Sequence, residues 1–321
     1  MMTLSKHRQR GVALITALLV VSLATIAAAA VASAGFQALS RTQLLLDSER
    51  AWWYAQGMES WAVSILAREG AETEIDHLGE VWARQVPPLP VEGGALQGAI
   101  EDAQGRFNLN NFATTEEARL TRVTGQFLRL LECADAGDSF RARELINAIV
   151  DWIDADDQQL FPGGGEDLLY LGKVPPYRTG QQLFAGASEL AAVEGVSEEM
   201  MRALRPHVVA LPEVTAININ TATPTVLCAL SENPDYRSRI EGFVERRAAE
   251  PMENVQAAFS ETGLIPAGVE EIETADLTVE SGYFLTEAEA FIGNGSAVLY
   301  SLVSRPNQGV PIVLRRSTAR P

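Results

Sequence analysis

The sequence predicts an α+β chain: one very long N-terminal helix, a small antiparallel sheet, and a large all-α insertion between the strands of that sheet. Three observations predict it. Residues 12–40 carry no charged side chain, and no Pro occurs between Met1 and Val86. From Thr114 to Glu273 the pattern is mainly helical. From 276 to 303 apolar residues alternate (Leu277, Val279, Tyr283 and Leu285, then Val298, Tyr300 and Leu302) with the two-residue period of a strand.

Composition narrows the function. A chain of 321 residues, 47% apolar and 21% charged, can bury the cores of about two domains. Its 25 basic and 42 acidic residues give a formal charge of −17, and Lys6 and Lys173 are its only lysines. Phosphate backbones repel such a chain, so nucleic acid is not an expected partner. Two Cys and three His cannot furnish a Cys-rich zinc module or a haem attachment site.

The first element is long enough to cross a bilayer, whose apolar core of about 30 Å needs some twenty apolar residues. Lys6, His7, Arg8 and Arg10 precede it and no acid occurs before Asp47, which keeps the N-terminus cytoplasmic and sends the bulk across. A cleaved secretory signal would be shorter and end in a small-residue loop. Here the pattern continues: Leu45, Trp52, Trp53, Met58, Trp61, Ile65 and Leu66 recur at helical spacing, with Asp47, Glu49, Arg50, Gln56 and Glu59 on much of the other face. One helix from Val12 to Arg68 would be about 85 Å long, and Trp52, Trp53 and Trp61 are expected where it packs on a sheet.

Pro87-Pro88-Leu89-Pro90 and Gly93-Gly94 read as a linker, and Ala99–Asn110 as a short strand or hairpin edge with Gly105 at a turn. Helices are expected over Glu116–Glu132, Ser139–Trp152, Ser188–Val193, Ser197–Arg205, Pro224–Leu230, Tyr236–Ala249 and Met252–Phe259, with Ser139 and Ser197 as starts. The turns at Leu190–Val196 and Pro251–Val255 resemble helix-hairpin-helix units, read here as packing units because the chain is so acidic. Asn294-Gly295 is a hairpin signal, and a last strand is expected over Val310–Leu314.

Several motifs, in this order, carry a family resemblance. A basic leader ending in Gly11, followed by Val12-Ala-Leu-Ile-Thr and the apolar helix, resembles a type IV prepilin or type II secretion pseudopilin. Most pilins carry Glu at the fifth mature position, which here is Thr16. That departure, with Glu101-Asp-Ala-Gln-Gly-Arg-Phe-Asn-Leu-Asn, Ile217-Asn-Ile-Asn-Thr-Ala and Tyr283-Phe284, resembles the K-type minor pseudopilins. The resemblance implies a pilin-like fold divided as leader 1–11, pilin helix and first strands 12–112, inserted helical domain 113–275, and C-terminal strands 276–321. It also implies cleavage between Gly11 and Val12 by a prepilin peptidase, methylation, and anchorage in the inner membrane with the bulk in the periplasm. Implied partners are the I- and J-type minor pseudopilins and the major pseudopilin, with this subunit at the fibre tip.

The densest chemistry is an acidic cluster. Asp151, Asp154, Asp156, Asp157, Glu166 and Asp167 place six carboxylates within 17 residues around Phe161-Pro-Gly-Gly-Gly165. Hard oxygen ligands on a flexible loop suit Ca²⁺. Counting from Asp154 as position one, position six is Gln159 where an EF-hand has Gly, and Glu166 falls one residue beyond position twelve. Residues alone leave a solvated acidic loop as the rival. The resemblance implies structural Ca²⁺ on Asp151, Asp154, Asp156, Gln158, Glu166 and Asp167.

No catalytic constellation occurs: there is no G-x-S-x-G, no H-E-x-x-H, and no Walker lysine after Gly163-Gly-Gly. An enzyme is not expected. Cys133 and Cys228 would lie in an oxidising periplasm, where a bridge can form; their separation in sequence does not decide it. A membrane-anchored periplasmic protein whose acidic loop recruits a calcium-dependent ligand is the alternative to a structural secretion subunit.

Overall fold

The computed structural model describes residues 10–84, 87–137, 141–260, 274–306 and 309–320. Residues 1–9 of the expected leader, Ser139 and residues 261–273 lie outside the described residues. Helix α1 runs unbroken over Arg10–Glu72, 63 residues, or about 95 Å at 1.5 Å per residue. Every residue from Val12 to Leu46 is exposed, and the first buried one is Asp47. From there Asp47, Ala51, Ala55, Met58, Ala62, Ile65 and Glu69 are buried at intervals of three and four, with Glu59 and Leu66 buried beside them, the stripe of a helix lying on a sheet.

Three alanines in that stripe let the backbone come close. The tryptophans do not join it as the sequence suggested. Trp53 is 63% and Trp61 44% exposed, because Trp53 sits about 200° around the helix from Ala51. Trp52 packs only at the edge of the buried cluster.

The sheet has five antiparallel strands in the order β1 (Leu89–Val91), β2 (Gly94–Asp102), β7 (Tyr283–Ile292), β8 (Gly295–Ser304) and β9 (Ile312–Ser317). Pro90 is accommodated because β1 is an edge strand, so the expected linker is in part a hairpin. The last strand begins after Pro311, which has no N–H to donate. Buried Glu59 on α1 accepts a bifurcated hydrogen bond from Arg316 Nε, 3.0 Å from each carboxylate oxygen, and one from Nη2 at 2.7 Å, pinning the helix to β9.

The β7–β8 turn is Gly293-Asn294, one residue earlier than expected, since Ile292 pairs with Gly295. Gly295 must be a strand residue without a side chain: a Cβ there would lie 2.4 Å from the Ser48 backbone nitrogen on α1. Asp47 completes the contact by accepting from Asn294 N at 3.1 Å.

Strand β2 pairs with β7 from Gly94↔Ile292 to Asp102↔Phe284, so the chain between 102 and 283 is an excursion from the sheet. It contains α2 (Glu117–Cys133), α3 (Ala142–Ile153), α4 (Asp167–Leu171), α5 (Glu198–Leu204), α6 (Pro224–Cys228), α7 (Pro234–Ala249) and α8 (Val255–Ser260), with a 3-10 turn over Ala187–Ala192. Two short parallel ladders tie it together. Strand β3 (Phe107–Asn108) pairs with β4 (Val208–Val209), and β5 (Ile217–Asn218) with β6 (Leu277–Thr278).

Its core is apolar and aromatic, including Phe107, Phe112, Phe127, Ile149 and Trp152. Cys133 and Cys228 are bridged, joining the end of α2 to the end of α6. Helix α7 starts two residues before the expected Tyr236, because the Asn233 side chain caps it by accepting from Asp235 N and Tyr236 N. Helix α8 starts later than Met252, whose backbone N–H and C=O are both taken by the Asn220 amide.

Candidate metal centre

Helix α3 ends at Ile153, and Asp154 is its C-cap, donating its N–H to the Val150 carbonyl at 2.9 Å. The acids therefore gather where a helix terminus already carries partial negative charge. Aromatic packing fixes the loop that follows: Trp152 meets the ring of Tyr170 edge-on at 5.2 Å and stacks on Phe184 at 6.3 Å. Lys173 pairs with Glu194 and sits over the Tyr170 ring at 5.2 Å. This frame brings Glu166, the N-cap of α4, back against Asp154.

One carboxylate oxygen from each of Asp154, Asp156 and Glu166 lies within 4.8 Å of the other two. Two oxygens bound to one Ca²⁺ at 2.3–2.6 Å can be separated by at most about 5 Å, so a single ion can bridge all three. Asp154 Oδ1 and both carboxylate oxygens of Glu166 are buried and have no hydrogen-bond partner. Buried polar atoms are otherwise almost always satisfied, and these three orphans are oxygens that could ligate a cation. Burial, with repulsion from Asp151, Asp154, Asp157 and Asp156, pushes Glu166 up to about 7. Asp154 is pushed up to about 6 by burial and then by Asp156 and Asp151.

Of the other expected ligands, Asp151 and Asp167 accept hydrogen bonds from neighbouring segments. Asp151 is fully buried and accepts from Leu160 N at 3.1 Å, closing the loop. Burial raises its pKa, while the N–H groups of Leu160 and Gly165 oppose the shift. Gly164 lies so close that a Cβ would stand 2.2 Å from Asp151 Oδ2, so only glycine fits. Asp167 accepts from Thr179 N and Oγ1, both at 3.0 Å, and pairs with Arg178. The Gln158 backbone N–H donates to Asp156 at 2.7 Å, and its side chain is exposed.

Asp157 accepts from Gln181 Nε2 at 3.1 Å. Sequence spacing could not separate the roles of Asp151, Asp157 and Asp167, because their partners lie 9 to 24 residues away along the chain.

At the other end of the chain the Gly11–Val12 bond lies in the first turn of α1. Thr16 Oγ1 donates to its own helix, within reach of the Val12 and Ala13 carbonyls at 3.1 and 3.0 Å. The helix has a segment long and apolar enough to cross a membrane, none of it buried in the protein.

Comparison with known proteins covers nearly all of this architecture. Two family models, both described as type II secretion system (T2SS) protein K, match residues 105–213 and 217–280. The type II secretion system protein K of Pseudomonas aeruginosa is 34% identical over 319 residues, spanning 97% of this chain and 93% of that protein. The protein of the same name from Pectobacterium carotovorum is 32% identical, spanning 97% of each. Among solved structures, a chain in the crystal structure of the GspK-GspI-GspJ complex from the enterotoxigenic Escherichia coli type 2 secretion system superposes with a TM-score of 0.78. It is 27% identical, and the match covers 88% of this chain and 100% of that one.

Proposed function

The chain belongs to the type II secretion system protein K family, and from that premise we propose that it is a minor pseudopilin that starts or caps the pseudopilus at its tip. The observation that carries this reading is α1. It passes without a break from 35 exposed residues, 12–46, into the face of the sheet, so one rod serves as both membrane anchor and fibre strut. Thr16 satisfies its hydroxyl on its own helix, and so has no need of a neighbour's amine in lipid. A repeating pilin with a carboxylate there would face an insertion cost of at least ~2.5–3.5 kcal/mol until paired.

The helical excursion between β2 and β7 would crowd a thin fibre if repeated at every subunit, and a tip position avoids that. Partners would be the I- and J-type minor pseudopilins, as the GspK-GspI-GspJ complex suggests, then the major pseudopilin below them. A prepilin peptidase would cut after Gly11, and methylation would follow. The role is structural and needs no catalytic group.

Ca²⁺ would be held by Asp154, Asp156 and Glu166, with Asp151 closing the loop behind them. The ion supplies the positive charge that three crowded carboxylates lack. Overproduction relative to the major pseudopilin tests the tip reading: caps in excess should shorten or abolish fibres, and fibres of unchanged length would contradict it.

A further inference from the structure

The excursion leaves the sheet at Asp102 and returns at Tyr283, and both crossings meet in one buried polar node. Asp102 Oδ2 accepts from Asn218 Nδ2 at 3.0 Å, Thr221 Oγ1 at 2.5 Å and Ser281 Oγ at 2.6 Å, while Oδ1 accepts from Gln104 N at 2.8 Å. Asp76, four residues beyond the end of α1, accepts from Ser281 N at 2.7 Å and from Arg305 Nη2 on both its oxygens. Arg305 follows β8 and lies over the Phe284 ring at 4.6 Å. Gln104 adds two bonds, donating to Ala216 O at 3.1 Å and accepting from Gly282 N at 2.6 Å.

Asn218 is the pin of this node. From the helical domain its Nδ2, sharing two hydrogens, reaches acceptors on three separate segments of the sheet half: Asp76 O at 3.1 Å, Asp102 Oδ2 at 3.0 Å and Ser281 Oγ at 2.9 Å. Asn218 is fully buried, and Asp102 and Asp76 nearly so. Around Asn218 and Asp102 the loss of one partner leaves an unpaired buried group, while Asp76 and Arg305 stand at the wall of an open polar cleft. A second, apolar contact stands beside the pin, where Val209 and Leu211 pack on Ala103 and Leu302. Two attachments of different chemistry suppress the rotation that one alone would allow.

We propose that the Asp102–Asn218–Ser281–Asp76–Arg305 node is a rigid coupling that fixes the helical domain to the far end of α1, so that any tilt or turn of α1 is delivered to the helical domain without a hinge. The inference rests on this geometry and stands whether or not the fibre-tip reading does.

Pulsed electron–electron resonance on the full-length, detergent-solubilised protein tests it. Both native cysteines are bridged, so spin labels would attach only at Ser60→Cys on α1 and Glu199→Cys on α5, both exposed positions. The unaltered node should give one narrow distance distribution. Asp102→Ala or Asn218→Leu should broaden or split it while near-ultraviolet circular dichroism of the helical domain is retained. Should those variants fail to fold, Ser281→Ala removes one hydroxyl and should still broaden the distribution. A broad distribution in the unaltered protein overturns the proposal, and so does one that stays narrow in every folded variant.

Discussion

Glu166 shows how sequence crowding becomes a measurable quantity at the scale of one residue. Its folded-state pKa of about 7 lies above its ordinary 4.5, so the metal-free folded protein binds a proton that the unfolded chain releases. That contribution is fully present below the ordinary value and is lost as the pH rises through about 7. Asp154, raised to about 6, acts in the same direction. In EDTA this site should therefore lower the melting temperature between pH 6 and pH 8, and calcium should raise it most at pH 8. A calcium-induced rise that did not grow with pH would contradict the assignment.

Glu166→Gln separates charge from shape. It should raise the metal-free melting temperature by removing repulsion, and weaken calcium binding at least about tenfold (~1.4 kcal/mol) in titration calorimetry. The crowding of acids was legible in the sequence. The division of labour was not, because Asp151 is claimed by Leu160 and Asp167 by Thr179, partners that no local spacing encodes.

Among the elements, the hairpin Gly293-Asn294 and helix α1 define each other. Gly295→Val would drive a side chain into the Ser48 backbone, and overpacking of this kind costs about 1–3 kcal/mol. The variant should melt earlier than Ser296→Val, whose side chain is exposed. The Cys133–Cys228 bridge closes a separation of 95 residues, so Cys133→Ser with Cys228→Ser should cost about 2–4 kcal/mol in urea unfolding. An unshifted midpoint would mean that the bridge constrains little.

Periodicity located α1 and the long helices well, since they follow a local rule. The starts of α7 and α8 were shifted by an Asn233 cap and by the Asn220 amide gripping Met252. Exposure of Trp53 and Trp61 reflects which stripe of α1 meets the sheet, and the alanines fix that stripe more than the aromatics do. Intact-mass analysis of the membrane form checks the helix start: residues 1–11 should be absent, and a mass that still includes Met1 would contradict processing at Gly11.

For the whole molecule, the three sequence patterns were enough to predict an α+β chain, because each is a local period. Pairing of β2 with β7 across some 180 residues left no local trace, and neither did the node that joins the two halves at Asn218. The resulting shape is a rod of about 95 Å with its uncharged stretch, residues 12–40, exposed at one end and the helical domain fixed near the other. On the proposed reading, one end of such a subunit would serve lipid and fibre, and the other would be too bulky to be buried in a stack. Immunogold labelling of isolated pseudopili with an antibody to the helical domain tests this most directly. The account predicts gold at one end of each fibre and in low number relative to the major pseudopilin; gold spread evenly along the fibres would contradict it.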